Sequence, residues 1–314
     1  MDRETLRDAL AGLFEDGCAR FDAPMAERTT FRIGGPADCV VEPRTVDEVR
    51  AALAACRRAG APVRVMGLGS DVLVADEGLR CVVVRIAENL SRIEVDGARM
   101  RVEAGASNED VARRACAEGL AGYEFACGIP GTVGGAAIMN AGAYGGEFKD
   151  VAEEVRCLTP EGELVDVDAE RAQWSYRHSM MDAAGYVVLG ATLRLTPDDP
   201  RAIQERMDDL ARRRADKQPL ELPSAGSTFK RPEGFFVGQL VQEAGLRGYR
   251  VGGAQVSEKH TGFVVNAGGA TAADVRRLIA HVQARVRESA GVELVPEVRL
   301  WGFEEMEEKE ESRS

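Results

Sequence analysis

Hydrophobic positions recur along this chain with two different spacings, one typical of helices and one typical of strands. Leu6, Leu10, Leu13 and Phe14 share one face of a predicted leading helix. A second helix is expected after Thr45, which forms a capping box with Glu48. It ends at Gly60 and buries Val49, Leu53 and Cys56. Helical spacing predicts further helices over residues 107–118, from about 200 to 215, over 237–244 and over 272–288.

Shorter apolar runs predict strands at 63–66, 72–74, 81–86, 186–195 and 292–301. Alternating segments flank Asp96-Gly97 and the turn at 159–162, so each is predicted to be a hairpin. Because several strands pair as hairpins, a purely parallel doubly wound sheet fits poorly. No GxGxxG follows a predicted strand. The sequence therefore predicts an α+β fold, with a boundary at the polar, proline-containing segment 196–200.

Composition restricts the possible partners. The net charge of −12 (40 basic against 52 acidic residues) disfavours unassisted binding to nucleic acid or to an anionic membrane. Residues 304–314 carry six glutamates, and we expect them to form a disordered acidic tail. The N-terminus lacks a signal-peptide pattern, and no apolar run is long enough to cross a bilayer. Seven scattered cysteines indicate reduced, mostly buried thiols in the cytoplasm, and three histidines without HExxH argue against a metal centre.

Two glycine-rich segments are the strongest functional signal. Seven of the nineteen residues from 128 to 146 are glycine, and a second loop, Gly-Leu-Gly-Ser-Asp at 67–71, follows a predicted strand. Such density predicts positive φ angles or close approach of the main chain to a ligand, and loop amides can bind phosphate. Close packing of helices against strands is the alternative. Two loops of this kind together favour one extended dinucleotide.

Four further segments carry candidate chemistry, each with an ordinary structural alternative. Arg177, in Ser-Tyr-Arg-His-Ser, could hold a carboxylate bidentately or form a structural ion pair. Ser227 could donate a proton to a carbanion, although turn and cap roles are commoner for serine. Glu297, among apolar residues, could be buried or could face water on an edge strand beside Pro296. The basic cluster of Arg212, Arg213, Arg214 and Lys217 is either a solvated helix face or a diphosphate contact.

These motifs occur together in the order typical of one family. Residues 30–35 (Thr-Phe-Arg-Ile-Gly-Gly), both glycine segments, SYRHS, KQP at Lys217, GSTFK and PEVRLWG give a chain that strongly resembles the UDP-N-acetylenolpyruvoylglucosamine reductases. The resemblance spans about Phe21 to Trp301. It implies an FAD-binding fold of the vanillyl-alcohol-oxidase type. The expected parts are an N-terminal helix with FAD subdomain 1 (1–86), FAD subdomain 2 (87–197) and a substrate-binding domain (198–303).

The resemblance also implies an activity and a set of site residues. The activity is NADPH-dependent, FAD-mediated reduction of UDP-N-acetylglucosamine enolpyruvate to UDP-N-acetylmuramate for peptidoglycan, by a cytoplasmic monomer with non-covalent FAD. Arg177, Ser227 and Glu297 would be catalytic, and Tyr176, Lys217 and Lys230 would bind substrate. The FAD contacts would be Gly67, Leu68, Gly69, Ser70, Asp71, Gly128, Ile129, Pro130, Gly131, Thr132, Gly134, Gly135, Asn140, Gly142 and Ala143.

Two departures and two rival hypotheses accompany the resemblance. Arg231 stands where many relatives have asparagine, and the short interval from Arg177 to Lys217 lacks the substrate-loop tyrosine of one subgroup. The rivals are another flavin oxidoreductase of this fold acting on a hydroxy acid or alcohol, and a non-catalytic nucleotide-sugar-binding relative. Flavin linked to histidine is disfavoured because no histidine precedes His178.

Overall fold

The computed structural model describes residues 3–10, 12–14 and 17–303. The helices are α1 (Arg3–Leu10), α2 (Val46–Arg58), α3 (Asn108–Ala117), α4 (Val133–Met139), α5 (Met180–Ala183), α6 (Pro200–Lys217), α7 (Val237–Glu243) and α8 (Ala272–Ala290). The strands are β1 (Ala19–Pro24), β2 (Pro36–Val41), β3 (Val63–Met66), β4 (Val72–Val74), β5 (Leu79–Arg85), β6 (Ile93–Asp96), β7 (Arg99–Glu103), β8 (Leu120–Ala121), β9 (Gly142–Ala143), β10 (Gly146–Glu147), β11 (Ala152–Leu158), β12 (Leu164–Asp168), β13 (Val187–Arg194), β14 (Thr196–Pro197), β15 (Arg250–Val251), β16 (Ala254–Val256), β17 (Val264–Asn266) and β18 (Arg299–Trp301). Within the described ranges, no helix has the length and apolar character needed to cross a membrane.

Side-chain caps begin α2, α3 and α8, and the cap at Thr45 was predicted from the sequence. Thr45 Oγ1 accepts from the Glu48 amide at 3.1 Å at the start of α2, and the Ser107 side chain accepts from the Asp110 amide at the start of α3. The Glu48 carboxylate accepts from the Arg44 amide, one residue earlier than a capping box requires. In α8 the predicted apolar face is buried, and a capping box of Thr271 and Asp274 starts the helix.

The chain divides into two compact units, described separately below. Unit 1 comprises Met1–Arg20, Cys39–Leu68 and Cys81–Arg214, and unit 2 comprises Phe21–Asp38, Gly69–Arg80 and Ala215–Ser314.

Unit 1 is built around a five-stranded antiparallel sheet of order β12-β11-β13-β7-β6. Both predicted hairpins belong to it, and Gly97 has the positive φ of 60° that its turn requires. Within the same unit, β3 pairs in parallel with β5, from Val63 opposite Val82 to Met66 opposite Arg85. Most pairs are antiparallel and the helices are not regular crossovers, so the predicted α+β class is confirmed.

Unit 2 has one hydrophobic core, formed where α7 and α8 pack with the antiparallel sheet β15-β16-β17. The short pair of β4 and β18 is parallel. Asp76 accepts from the amides of Ala272 and Ala273, at 2.8 and 3.0 Å, and so satisfies two donors at the start of α8.

The structure corrects three sequence predictions. The 128–146 segment is not loop throughout, because Thr132 caps α4 and Asn140, with φ 44°, ends it. The leading helix ends at Leu10, so Leu13 and Phe14 lie outside it. The predicted strand 292–301 is regular only over Arg299–Trp301, since Pro296, which has no N–H, pairs with a different segment. The predicted acidic tail, 304–314, lies outside the described residues.

Candidate active site

The two glycine segments meet inside unit 1, at Gly67 and Thr132. A Cβ built on Gly67 would lie 2.5 Å from Thr132 Oγ1 and 3.0 Å from its Cγ2. Thr132 Oγ1 also accepts from the Gly135 amide at 3.3 Å, so the contact lies at the cap of α4. Glycine at position 67 therefore lets the end of β3 approach the start of α4 more closely than any side chain would allow.

The first amides of α4 are used within the chain. The amides of Val133 and Gly134 donate to the carbonyls of Ala106 and Ala104, at 2.9 and 2.8 Å. A Cβ on Gly134 would lie 3.0 Å from the Ala104 Cβ. Because the amides of Gly134 and Gly135 already have acceptors within the chain, a ligand could contact these residues only by close approach to the main chain, without accepting their hydrogen bonds.

The second half of the Gly-Leu-Gly-Ser-Asp loop belongs to unit 2. Gly69 has φ 64°, and a Cβ there would lie 2.4 Å from the Arg28 carbonyl oxygen. The Gly69 carbonyl accepts from the Thr30 amide at 3.1 Å. The Asp71 carbonyl accepts from the Arg299 amide at 3.0 Å, which joins this loop to β18.

Arg177 lies at the tip of a tight turn in unit 1. The backbones of Ser175 and His178 exchange two hydrogen bonds of 3.2 Å, which leaves Tyr176 and Arg177 as the two central residues. Arg177 has φ 54°, an unusual conformation for a residue with a side chain, and its guanidinium carbon lies 5.2 Å from the centre of the Tyr176 ring. Half of Tyr176 is exposed.

Side chains fasten this turn to the C-terminal end of α4. Trp174 Nε1 donates to the Ala137 carbonyl at 2.7 Å, and Ser179 Oγ donates to the Ile138 carbonyl at 2.8 Å. Buried Asn140 donates to the Ser175 carbonyl at 3.3 Å and to Glu147 at 2.9 Å. These bonds satisfy groups that a helix end leaves unpaired, and they also hold the turn that presents Arg177.

Ser227 and Glu297 lie on paired segments of unit 2. Phe229 and Pro296 form an antiparallel bridge, the Glu297 amide donates to the Thr228 carbonyl at 2.8 Å, and the Lys230 amide donates to the Val295 carbonyl at 2.8 Å. The buried Thr228 hydroxyl accepts from the Val264 amide at 2.8 Å. The structure thus brings the serine and glutamate backbones together, and Glu297 is half-buried.

Lys217 ends α6 as an exposed residue, and Lys230 is exposed as well. Burial lowers the pKa of His260 below its ordinary value, and the positive charge of Lys217 lowers it further. His260 Nδ1 accepts from the Gly262 amide at 3.1 Å, which leaves Nε2 as the protonated nitrogen of the neutral ring. Sequence reasoning gave His260 no role, and nothing in the local sequence distinguishes it.

The basic cluster at the end of α6 is not a uniformly solvated helix face, because Arg214 is buried. It is only 6% exposed, and its guanidinium carbon lies 5.5 Å from the centre of the Tyr144 ring. A signal was present in the sequence, because Arg214 falls at helical spacing from Ile203 and Met207, the two other buried residues of α6.

The other predicted cofactor residues lie in or beside these segments. Gly128 and Gly131 have positive φ angles of 75° and 119°. Leu68, Ser70 and Ile129 are half-buried and Pro130 is exposed, while Gly142 and Ala143 form β9. β9 pairs with β10 around Tyr144 and Gly145, whose φ angles of 54° and 92° suit a two-residue hairpin turn.

Comparison with known proteins gives consistent matches over most of the chain. Residues 37–168 match the family described as FAD binding domain, and residues 218–301 match the family described as UDP-N-acetylenolpyruvoylglucosamine reductase, C-terminal domain. The UDP-N-acetylenolpyruvoylglucosamine reductase of Alkaliphilus metalliredigens is 46% identical over 96% of this chain and 99% of that protein. The enzyme of the same name from Agathobacter rectalis is 50% identical over 90% and 93%. The crystal structure of the Thermus caldophilus UDP-N-acetylenolpyruvylglucosamine reductase superimposes with a TM-score of 0.77 at 35% identity, covering 90% of this chain and 98% of that one.

Proposed function

The chain belongs to the UDP-N-acetylenolpyruvoylglucosamine reductase family, and from that membership we propose that it reduces UDP-N-acetylglucosamine enolpyruvate to UDP-N-acetylmuramate, with NADPH as the reductant. It is an FAD-containing oxidoreductase of peptidoglycan precursor synthesis. The observation that best supports the assignment of catalytic residues is the pairing of the Ser227 segment with the Glu297 segment, inside the matched C-terminal region.

The assignment of the glycine segments to FAD rests on the family match over residues 37–168. At Gly67, Gly69 and Gly128 a built Cβ would meet atoms of the protein itself at 2.4–3.1 Å, so these three glycines allow close packing within the chain. FAD, when bound, supplies the hydride chemistry between NADPH and the enolpyruvyl carbon. Residues 67–71 and 128–143 would hold it.

Arg177 binds the carboxylate of the enolpyruvyl group. Its guanidinium is planar and stays charged at any physiological pH, so it can hold a carboxylate through two parallel hydrogen bonds. Negative charge grows on that carboxylate when a hydride reaches the neighbouring methylene carbon. The turn that carries Arg177 is held by hydrogen bonds to α4, so the guanidinium stabilises this charge without first having to reorient. Preorganisation of this kind is the main source of electrostatic catalysis in enzymes.

Ser227 supplies the proton that completes the reduction. Its Oγ–H lies next to Thr228, whose backbone and hydroxyl are both hydrogen-bonded, so the preceding residue is held in a defined position. The acceptor is a strongly basic enolic carbon, and the hydroxyl therefore need not ionise first. Glu297, on the paired segment, stabilises the enolic form through its carboxyl group.

Lys217, Lys230 and Tyr176 bind the rest of the substrate. The protein carries a net charge of −12, so a diphosphate needs local cations to overcome the general repulsion. Exposed lysines at the end of α6 and beside Ser227 meet that need. The enzyme acts in the cytoplasm as a monomer; seven free thiols support a reducing compartment, and light scattering would test the monomer.

The test of the proposed function separates the two half-reactions in Ser227→Ala. Reduction of bound FAD by NADPH should remain near the wild-type rate, whereas reoxidation by the enolpyruvyl substrate should slow by about 10²–10⁴-fold, the usual contribution of a general acid. Rapid-mixing absorbance at the flavin band measures both steps.

Ser224→Ala is the matched control, three residues earlier in the same loop, where the hydroxyl accepts a long 3.4 Å bond from the Gly226 amide. An equal loss in both half-reactions of Ser227→Ala would contradict the proton-donor role. Absence of turnover by the wild-type protein with this substrate would contradict the proposed function itself.

A further inference from the structure

Asn140 ends α4 in a backbone conformation that glycine adopts more easily. Its φ is 44° and its ψ is 58°, and its amide donates to the Ala136 carbonyl. Glycine is the commonest residue at left-handed positions of this kind after a helix, because a Cβ there costs free energy. The side chain of Asn140 is nevertheless buried, with only 2% of the residue exposed. Its presence is therefore explained by the contacts of the side chain and not by the backbone.

The carboxamide of Asn140 uses both of its hydrogens and its oxygen. Nδ2 donates to Glu147 Oε2 at 2.9 Å and to the Ser175 carbonyl at 3.3 Å. Oδ1 accepts from the Lys149 amide at 3.0 Å. Because the two acceptors and the one donor lie on opposite sides, these partners fix the orientation of the carboxamide. Asn140 thus joins the 147–149 segment to the turn over 175–178.

Glu147 links the same contacts to a charge near Arg177. Its carboxylate accepts from Asn140, from Lys149 Nζ at 2.7 Å and from the Asp150 amide, which belongs to a capping box. The hydrogen bond from Lys149 lowers the pKa of Glu147, and the bond from Asn140 and the positive charge of Arg177 lower it further. Glu147 is therefore ionised at neutral pH, within electrostatic range of the Arg177 guanidinium.

The turn that Asn140 contacts carries Arg177 in an uncommon conformation. The φ of Arg177 is 54°, and a residue with a side chain keeps such an angle only where its surroundings hold it. Trp174 and Ser179 flank the turn and donate to carbonyls of α4. Asn140 acts in the opposite direction, because it donates from the end of α4 to the carbonyl of Ser175, the first residue of the turn.

We propose that Asn140 is a positioning residue for the reduction, which holds through Ser175 and Glu147 the turn that presents the Arg177 guanidinium to the substrate carboxylate. The inference rests on the proposed function for the role of Arg177 and goes beyond it in assigning Asn140. All of these residues belong to unit 1. The bond to Ser175 fixes the start of the turn, and Glu147 supplies a fixed negative charge that orients the guanidinium before the substrate arrives.

The experiment compares Asn140→Gly with Gln173→Gly as the matched control. Both positions have left-handed backbone, with φ angles of 44° and 48°, so glycine relieves similar strain at each. Gln173 is exposed and lies two residues before Ser175, so its replacement tests the backbone change in the same region. Rapid mixing of each FAD-loaded protein measures flavin reduction by NADPH and flavin reoxidation by UDP-N-acetylglucosamine enolpyruvate.

The expected loss is confined to one half-reaction. Asn140→Gly should lower the limiting rate of reoxidation by about 10–100-fold, as a small misplacement of a catalytic group does. Reduction by NADPH should stay near the wild-type rate, because Arg177 acts on the substrate carboxylate. Gln173→Gly should match the wild type in both half-reactions.

A double-mutant cycle shows whether Asn140 acts through Arg177. In an Arg177→Ala background the guanidinium is absent, so adding Asn140→Gly should slow reoxidation by no more than about twofold. An asparagine with a purely structural role would lower the rate by the same factor in both backgrounds.

Asn140→Asp is the second variant for this cycle. Aspartate keeps the size of the side chain, tolerates left-handed backbone and retains an acceptor for the Lys149 amide, but it loses both donors. If Asn140→Gly does not bind FAD, the cycle is measured with Asn140→Asp, for which the same selective loss of reoxidation is expected.

The proposal is overturned if the Asn140 variant is reoxidised as fast as Gln173→Gly, if both half-reactions slow equally, or if the losses multiply in the double variant. If the enolpyruvyl substrate reoxidises the wild-type protein, each of these results leaves the proposed function intact. A wild-type protein that this substrate does not reoxidise overturns both.

Discussion

Substitution of Gly67 by alanine tests the contact that joins the two glycine segments. The new Cβ would lie 2.5 Å from Thr132 Oγ1, well inside van der Waals contact, so Thr132 has to move. Overpacking of this kind costs about 1–3 kcal/mol. Displacement of Thr132 also removes the cap of α4, which costs about 1 kcal/mol. Gly67→Ala should therefore lower the free energy of unfolding of unit 1 by about 2–4 kcal/mol.

A double-mutant cycle with Thr132→Ala separates the clash from general damage. Thr132→Ala alone loses the cap and should cost about 1 kcal/mol. In the double variant the remaining Thr132 Cβ position is 3.3 Å from the new methyl, so most of the clash disappears. The double variant should therefore be more stable than Gly67→Ala alone, with a coupling of about 1–3 kcal/mol.

The assay is urea denaturation of the apoprotein followed by tryptophan fluorescence. The chain has two tryptophans, and a Trp301→Phe background leaves only Trp174, whose indole donates to a carbonyl of α4 and so reports on this region. Gly135→Ala is the control, since its Cβ would meet nothing nearer than 3.8 Å and alanine favours the helix. Equal stability of Gly67→Ala and wild type, or simple addition of the two single costs in the double variant, would refute the reasoning.

Two further predictions concern unit 2. Lys217→Ala should raise the KM for the enolpyruvyl substrate by about 10–100-fold with little change in kcat, since a diphosphate contact is common to ground and transition states; an unchanged KM in steady-state assays would exclude the contact. His260→Asn keeps an acceptor for the Gly262 amide but removes a titrating group. The pKa of His260 in the folded protein lies below the ordinary value of 6.5. The stability that neutral His260 contributes is therefore fully present above pH 6.5, and it is lost as the pH falls through the folded pKa. The wild-type protein should therefore lose stability more steeply than His260→Asn between about pH 7 and pH 5, as denaturation curves at several pH values would show, and parallel curves would contradict the assignment.

Local features of the fold were predictable from sequence because their causes lie within a few residues. The cap at Thr45, the helix predicted over 107–118, the turn at Gly97 and the apolar face of α8 all follow from short-range patterns, and all are present. The failures have a different origin. The strand predicted over 292–301 is interrupted at Pro296 because its two halves pair with different partners, 228–230 and β4. Such partners are remote in sequence.

The candidate site shows the same division. The motif order gave Arg177, Ser227 and Glu297 as candidates, and the turn that holds Arg177 became visible only with its hydrogen bonds to α4. The glycine density predicted positive φ angles or close approach of the main chain to a ligand, with close internal packing as the alternative. The structure shows that the near neighbours of Gly67, Gly69 and Gly128 are atoms of the protein itself, and that the amides of Val133 and Gly134 are already occupied. Arg214 was grouped with three exposed residues, Arg212, Arg213 and Lys217, although its spacing from Ile203 and Met207 placed it on the buried face.

By itself, then, the amino-acid sequence determined the α+β class, the helix limits that depend on capping, and the family, because each depends on residue type at short spacing or on motif order. Tertiary structure alone decided that Gly67 meets Thr132, that Ser227 and Glu297 lie on paired segments, and that Arg214 is buried. The physical reason is that burial and hydrogen-bond pairing are set by segments that are distant along the chain, and no local pattern records which of them will meet.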